Sequence, residues 1–417
     1  MNLLFIHQNM PGQFRHLIGA LAARPEHRLV CVGKRRDFAP AGVGRVVYEL
    51  DEAAAGPHPA PQAGGHRYAA AFDAAVRHGQ QVARACDILA RNGFRPDLIV
   101  AHPGWGETLF VKEVFPRTPL LHYCEWYYRT HGADTNFDPT APQDLDANSA
   151  TLSRNAHLLM ALESCDWGYS PTAWQKRQHP APYRDRISVR FDGIDTDTVA
   201  PDPAAMFVLP DGRTLRAGDE VVTYVARSLE PYRGFPSLMR AVPEILRRRP
   251  TAQIVVVGGD DVSYGRPPPG GGTWREALAA EVEVDPGRVH FLGRIPRAQY
   301  VRLLQVSAVH VYLTVPFVLS WSMLEAMAAG CLIVGSATPP VQEVIEDGRN
   351  GWLADFFSAA AIADRVVEAL AQGPNLAPLR QAARWTALGR YALARCLPRQ
   401  IALLGTLAAG GQPGAVD

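Results

Sequence analysis

The sequence predicts an α/β protein built from two doubly wound domains with parallel, helix-covered sheets. Three observations lead there. Short apolar runs of strand character alternate with longer runs of helical period, which is the pattern of βα units. The alternation pauses and restarts just before the middle of the chain. At 417 residues, the chain is too long for one ordinary hydrophobic core.

The elements follow in order. Leu3 to Ile6 reads as a first strand, and Gln13 to Ala23 as a helix. Arg28 to Gly33 and Arg45 to Glu49 are strands, and Tyr68 to Arg91 is a long helix. Leu98 to Ala101 is a short apolar strand ending at His102, and Leu120 to Cys124 is another. Leu152 to Ser164 is read as one helix. The pattern restarts with a strand at Ile187 to Phe191, and Val221 to Ala226 opens a fresh βα series. Its strands continue at Ile254 to Val257, Val289 to Leu292, Val309 to Leu313 and Leu332 to Val334, with helices at Ser237 to Arg249 and Arg297 to Val306. The expected division is a first domain over 1–185, a second over 186–385, a terminal helix over 386–407 that packs back on the first domain, and a tail over 408–417. The Pro/Gly-rich stretches 56–65 and 260–273 are read as irregular loops.

Composition narrows the function. An apolar share of 47% with 20% charged residues belongs to a globular chain, not a disordered one. A net charge of +1 gives no global field for a nucleic-acid partner. Six scattered cysteines without a C-x-x-C pair predict buried, reduced thiols and a cytoplasmic setting. The run Met1 to Ile6 reads as a strand and not as a signal peptide, and no run of 18 apolar residues exists to span a membrane. Lys34, Arg35 and Arg36, with Arg15 and His16, form a modest basic region that leaves peripheral contact with the inner face of a membrane open.

Ligands of open α/β sheets bind outside the carboxyl ends of the strands, so the loops just after strands carry the candidate chemistry. The most informative segment runs from Ser307 to Gly351. A buried strand leads into a loop, then into a helix opening at Ser320, Trp321 and Ser322. Free N–H groups and the positive dipole end at such a helix start suit an anion, for instance a diphosphate. Glu325 lies about one turn in, within reach of hydroxyls attached to that anion. After the strand ending at Ala226 come Arg227 and Arg233, two guanidiniums able to clamp a diphosphate and stabilise it as it leaves. Arg294 and Ile295 follow another strand, and their backbone could bond a base. In the first half, Gly12 permits close backbone approach to phosphate, and His102 can bond a sugar hydroxyl and shuttle a proton. The segment Glu125-Trp126-Tyr127-Tyr128 mixes aromatic faces with polar groups, as acceptor binding requires. No metal-ligand spacing, P-loop or dinucleotide fingerprint is present.

Taken in order, the Gly12 loop, His102, Asp192-Gly193-Ile194-Asp195, Arg227 with Arg233-Gly234, Leu292-Gly293-Arg294-Ile295, Leu324 to Gly330 and Glu343 to Gly351 resemble the retaining glycosyltransferases of family 4. The resemblance covers most of the chain and is strongest in the second half. It implies a GT-B architecture, two Rossmann-like domains facing across a cleft, with the donor nucleotide on the second and the acceptor mainly on the first. It also implies that Arg227 and Arg233 hold the diphosphate, that Glu325 binds the nucleotide ribose, and that His102 and Gly12 lie near the donor sugar. The implied reaction moves a sugar from a nucleoside-diphosphate donor of the UDP or GDP type to a hydroxyl of a glycan, lipid-linked or small-molecule acceptor. Neither cofactor nor metal is implied. One departure stands out: where the family has a glutamate eight residues before Glu325, this chain has Phe317. A catalytically degenerate nucleotide-binding scaffold and a nucleotide-sugar epimerase are the alternatives. A pyridoxal-dependent phosphorylase is disfavoured, because no lysine follows Lys176.

Overall fold

In the computed structural model, residues 1–38, 40–50 and 65–414 are described. Apart from Gly65, the loop expected at 56–65 therefore lies outside the described residues. The chain forms two compact units, Met1–Gly193 with Ala394–Asp417, and Ile194–Leu393.

The first unit holds a seven-stranded sheet: β1 (Asn2–Ile6), β2 (Arg28–Gly33), β3 (Val43–Val47), β4 (Leu98–Ala101), β5 (Leu120–Tyr123), β6 (Trp167–Ser170) and β7 (Ile187–Val189). The order is β3-β2-β1-β4-β5-β6-β7, every pair parallel. The two-residue alternation of side chains sorts the core into two layers. Leu3, Phe5, Leu29 and Cys31 face helix Arg15–Ala22 through Leu17, Ile18 and Leu21. Leu4, Ile6, Val30 and Val32 face helix Ala70–Arg91 through Val82, Ala85 and Cys86. Both faces of each central strand are covered, which is why those strands read as unbroken apolar runs.

The second unit carries a small antiparallel hairpin, β8 (Met206–Val208) and β9 (Thr214–Arg216). Its main sheet has six strands: β10 (Val221–Ser228), β11 (Gln253–Gly259), β12 (Val289–Phe291), β13 (Val309–Tyr312), β14 (Leu332–Ser336) and β15 (Trp352–Ala354). Their order is β12-β11-β10-β13-β14-β15. In both sheets the winding reverses beside the first strand, between β1 and β4 and between β10 and β13. Those reversals are the places where open sheets bind ligands.

Three expectations need correction. The strand expected at Ile187 to Phe191 does not open the second domain. It is β7, which pairs with β6 at the edge of the first sheet, so the first unit runs on to Gly193 instead of ending at 185. The helix expected over Leu152 to Ser164 is two helices, Leu145–Ser153 and Ala156–Ser164. Asn155 breaks it: its side chain accepts from the Tyr128 backbone N–H at 2.9 Å and donates to the Tyr128 carbonyl at 2.8 Å. The terminal helix, expected over 386–407, spans Leu393–Ala408 and follows a short π-helix, Ala387–Tyr391. Its Leu403, Leu404 and Leu407 join the core layer of Leu3 and Phe5.

Candidate active site

In the second unit, the reversal between β10 and β13 opens a cavity of about 420 Å³. Among its lining residues are Arg227, Arg294, Ile295, Ser320, Trp321, Ser322 and Glu325. Residues from three strand ends and one helix start are thus gathered at one place.

Tyr312, the last residue of β13, directs its hydroxyl back to accept the Ser320 backbone N–H at 2.8 Å. This fixes the start of helix Trp321–Ala328. Ser320 caps the helix, its hydroxyl oxygen accepting from the Ser322 N–H at 3.3 Å. Just beyond the first turn the side chain of Glu325 is buried, and both its oxygens are occupied. Tyr300 donates its hydroxyl to Oε2 at 2.7 Å, and the Arg297 guanidinium lies 2.6 Å from Oε1. Arg294 is ion-paired with Asp261. Arg227 differs from these: it is exposed, and among the described residues it makes no hydrogen bond or ion pair within the protein. A cation without a partner at a pocket wall is available for an anionic ligand.

Arg233 does not share that wall. It is 7% exposed, and its Nη1 donates to Thr314 Oγ1 at 2.9 Å and to the Val318 carbonyl at 3.0 Å. Its place is beneath the loop leading to Ser320, so it shapes the pocket instead of lining it. The pair of converging arginines read from the sequence is therefore one pocket arginine and one loop anchor. Sequence could not separate them, because the burial of an arginine depends on tertiary packing.

Phe317 is buried, with its ring 5.6 Å from Tyr232 and 5.2 Å from Tyr264. Tyr264 belongs to the loop 260–273, which Glu230 holds in place. The fully buried Glu230 carboxylate accepts the backbone N–H groups of Ser263, Tyr264 and Gly265, the last at 2.8 Å. Its carboxyl is pushed up by burial against the opposing pull of these bonds. No motif distance pointed to this contact.

In the first unit, the reversal between β1 and β4 gathers a different set. His7 follows β1, His102 follows β4 and Glu125 follows β5. Two backbone donors settle the tautomers. The Gly104 N–H donates to His102 Nδ1 at 3.0 Å, so Nε2 carries the proton and points it at Glu125 Oε2, 3.3 Å away. The Asn9 N–H likewise donates to His7 Nδ1 at 2.9 Å, leaving Nε2–H to donate to Gln13 Oε1 at 2.8 Å. Gln13 passes the polarity on, donating to Glu125 Oε1 at 2.6 Å. Burial on its own would raise the Glu125 carboxyl, but the bonds from His102 and Gln13 outweigh it and hold it below the ordinary range. Burial drives His7 the other way, down to about 3. Gly12 has φ +49, and a Cβ there would stand 2.3 Å from His7 Nε2. Here the expected phosphate-loop glycine is needed to clear an imidazole. Glu125 was read as part of the segment that follows the strand at Leu120 to Cys124, but not as the hub of these bonds, because His102 and Gln13 come from other strand ends.

Arg35 and Arg36 of the expected basic region are paired with Asp37 and Glu49. Among the described residues no helix is long and apolar enough to cross a membrane, and no cluster of three or more His, Cys, Asp or Glu could hold a metal ion.

Two doubly wound units, with a cationic pocket at the sheet reversal of the second, define an α/β protein of the GT-B fold. Comparison with known proteins identifies which. Residues 25–199 match the "Glycosyl transferase family 4 group" and residues 219–372 match "Glycosyl transferases group 1". Between them these matches cover most of the chain, which belongs to the family 4 glycosyltransferases. A GDP-mannose-dependent alpha-(1-6)-phosphatidylinositol monomannoside mannosyltransferase of Mycolicibacterium smegmatis is 27% identical over 48% of this chain and 51% of its own length. A D-inositol 3-phosphate glycosyltransferase of Mycobacteroides abscessus is 28% identical over 44% of this chain and 39% of its own. The chain thus spans about half the length of the curated relatives it matches. The fold is shared with Anabaena Alr3699/HepE, solved in complex with UDP-glucose, at TM-score 0.65 and 15% identity over 97% of this chain and all of that one. Sucrose-phosphate synthase of Thermosynechococcus elongatus aligns at TM-score 0.68 and 16% identity over 99% of this chain and all of that one.

Proposed function

We propose that this chain is a hexosyltransferase that moves a sugar from a nucleoside-diphosphate donor to an acceptor hydroxyl, with retention of anomeric configuration, in the making of a glycan or glycolipid. The observation that carries the reading is the partnerless Arg227 at the wall of a pocket that also holds a helix N-terminus and the Glu325 carboxylate. Charge accumulates on the departing diphosphate, and fixed positive groups placed there lower the barrier. Departure and attack take place on one face of the sugar, and the leaving phosphate takes the acceptor proton. The names of the relatives favour GDP-mannose first and UDP-glucose second as donors to try. The acceptor is a glycan, lipid-linked or small hydroxyl compound; the action of the named relatives on phosphatidylinositol mannosides and inositol phosphate favours a glycolipid or cyclitol.

The test begins with thermal shifts against GDP, UDP, ADP and TDP, then follows nucleotide release from the matching sugars. Arg227→Ala should lower turnover about a hundredfold while leaving the melting temperature almost unchanged. Normal turnover in that variant removes Arg227 from the reaction. A nucleotide shift without release from any donor supports the degenerate scaffold instead. Product anomer, read by NMR, decides retention.

A further inference from the structure

Every donor in the first unit's polar cluster points at one carboxylate. The series runs from the Asn9 N–H through His7 and Gln13 to Glu125 Oε1, and from the Gly104 N–H through His102 to Glu125 Oε2. Both histidines have spent both ring nitrogens inside the protein, so neither has a polar atom left for a ligand. Glu125 does. An ionised carboxylate has about four acceptor positions, of which two are used here. Its side chain keeps 28% of its surface exposed, whereas that of His102 keeps 4%. The Glu125 backbone is held from both sides, its N–H donating to the Tyr123 carbonyl at 3.0 Å and its own carbonyl accepting from Gln175 Nε2 at 2.9 Å. The half-buried Trp105 ring lies 4.9 Å from His102 and 5.6 Å from His7, the two imidazoles of the series that ends on the carboxylate.

We infer that Glu125 is the group in the first unit that grips the acceptor, taking a hydrogen bond from a hydroxyl of a neutral polyol ring, a pyranose or a cyclitol, that lies against Trp105. A rigid carboxylate whose donors are already spent on it is an acceptor only, so its ligand must donate. Ring hydroxyls do so, and the C–H face of the same ring suits an indole. A metal ion is disfavoured, because His102 Nε2 carries its proton toward the carboxylate. The inference rests on the proposed transfer to an acceptor and assigns a partner to a hydroxyl of the acceptor ring other than the one that reacts.

The experiment uses the full chain and two simple probes, methyl α-D-mannopyranoside and myo-inositol, followed by saturation-transfer NMR. Thermal shifts with GDP and UDP are recorded in parallel. The native chain should bind at least one probe. Glu125→Gln should weaken that binding tenfold or more, because its amide sets a donor against His102 or Gln13 and removes the charge. Glu125→Asp, which keeps the charge but withdraws it by one methylene, should weaken it less and serves if the glutamine variant fails to fold. The nucleotide shift should survive in both. Equal probe binding in native and variant chains overturns the assignment, as does a nucleotide shift with no probe binding at all. Probe binding that depends on Glu125 in a chain with no nucleotide shift upholds the assignment and overturns the transferase reading instead.

Discussion

Glu325, proposed above to meet the ribose, is held by the protein's own groups. A carboxylate this buried needs partners, and Tyr300 and Arg297 supply them. If ribose hydroxyls bind there, they compete with or share the Arg297 contact. The native chain should therefore prefer GDP or UDP over the 2′,3′-dideoxy nucleotide by about tenfold, the value of one or two charge-assisted bonds. In Glu325→Ala the preference should vanish, since the two deletions remove the same interaction and cannot add. Calorimetric titration of the four combinations checks this; a preference kept by the variant shows that ribose is bound elsewhere. At this scale, Arg227, Arg294, Ser320 and Glu325, singled out in the sequence for lying near strand ends, all line the one pocket, because nearness to a strand's carboxyl end follows from local pattern; β10 runs on to Ser228 and so contains Arg227. The partners Tyr300, Arg297 and Gln13 were not legible. Each depends on which turn of a neighbouring helix comes to face the site, and periodicity alone does not set that.

Loops and strands obey a different logic. The segment 260–273 contains Pro267-Pro268-Pro269 and three consecutive glycines, so it cannot hold itself in place with ladder bonds. The Glu230 carboxylate does so instead, meeting three successive N–H groups. Ser228 adds a hydroxyl contact to Ser263 at 2.7 Å. Glu230→Ala leaves those N–H groups unpaired and costs about 2–3 kcal/mol locally. Chymotryptic cleavage after Tyr264 should accelerate by tenfold or more, while cleavage elsewhere stays constant. An unchanged rate would mean that the aromatic contacts with Phe317 and Tyr232 hold the loop without the carboxylate. Among the elements, long apolar strands such as β1, β2 and β11 were readable, since both faces are covered. β6, Trp-Gly-Tyr-Ser, was not. It is four residues long with a central glycine, and only its place between β5 and β7 makes it a strand. β7 was read as a strand but given to the wrong sheet, because pairing partners leave no mark on a three-residue segment.

Across the molecule, buried imidazoles set the response to acid. Burial is the largest cause in each case: it drives His7, His122 and His310 down to about 3, and His78, His157 and His179 down to about 4. Folded values below the unfolded 6.5 mean that the unfolded chain takes up protons first. The stability these groups confer is complete above about pH 6.5 and is lost as pH falls toward 3–4. At pH 5 each histidine subtracts about 2 kcal/mol. Glu107, raised by burial to about 7, works in the opposite direction, favouring the folded state as pH falls from 7 toward 4.5. Glu230, also raised by burial, acts in the same direction as Glu107, but two carboxyls do not balance six imidazoles. Melting temperature should therefore drop between pH 7.5 and pH 5. All but His310 belong to the first unit, so that unit should melt first and split the calorimetric trace. A single transition that rises on acidification would contradict the assignment.

The helix Leu393–Ala408 also bears on how the protein is made. Leu403, Leu404 and Leu407 sit among Leu3, Phe5 and Phe14, so β1 shares its packing with a helix that is translated only after the whole of the second unit. The second unit lies entirely between them in the chain and can mature while the nascent polypeptide is still tethered. The first unit must wait with an open apolar seam until translation reaches the helix, and during that interval it is the half a chaperone would need to guard.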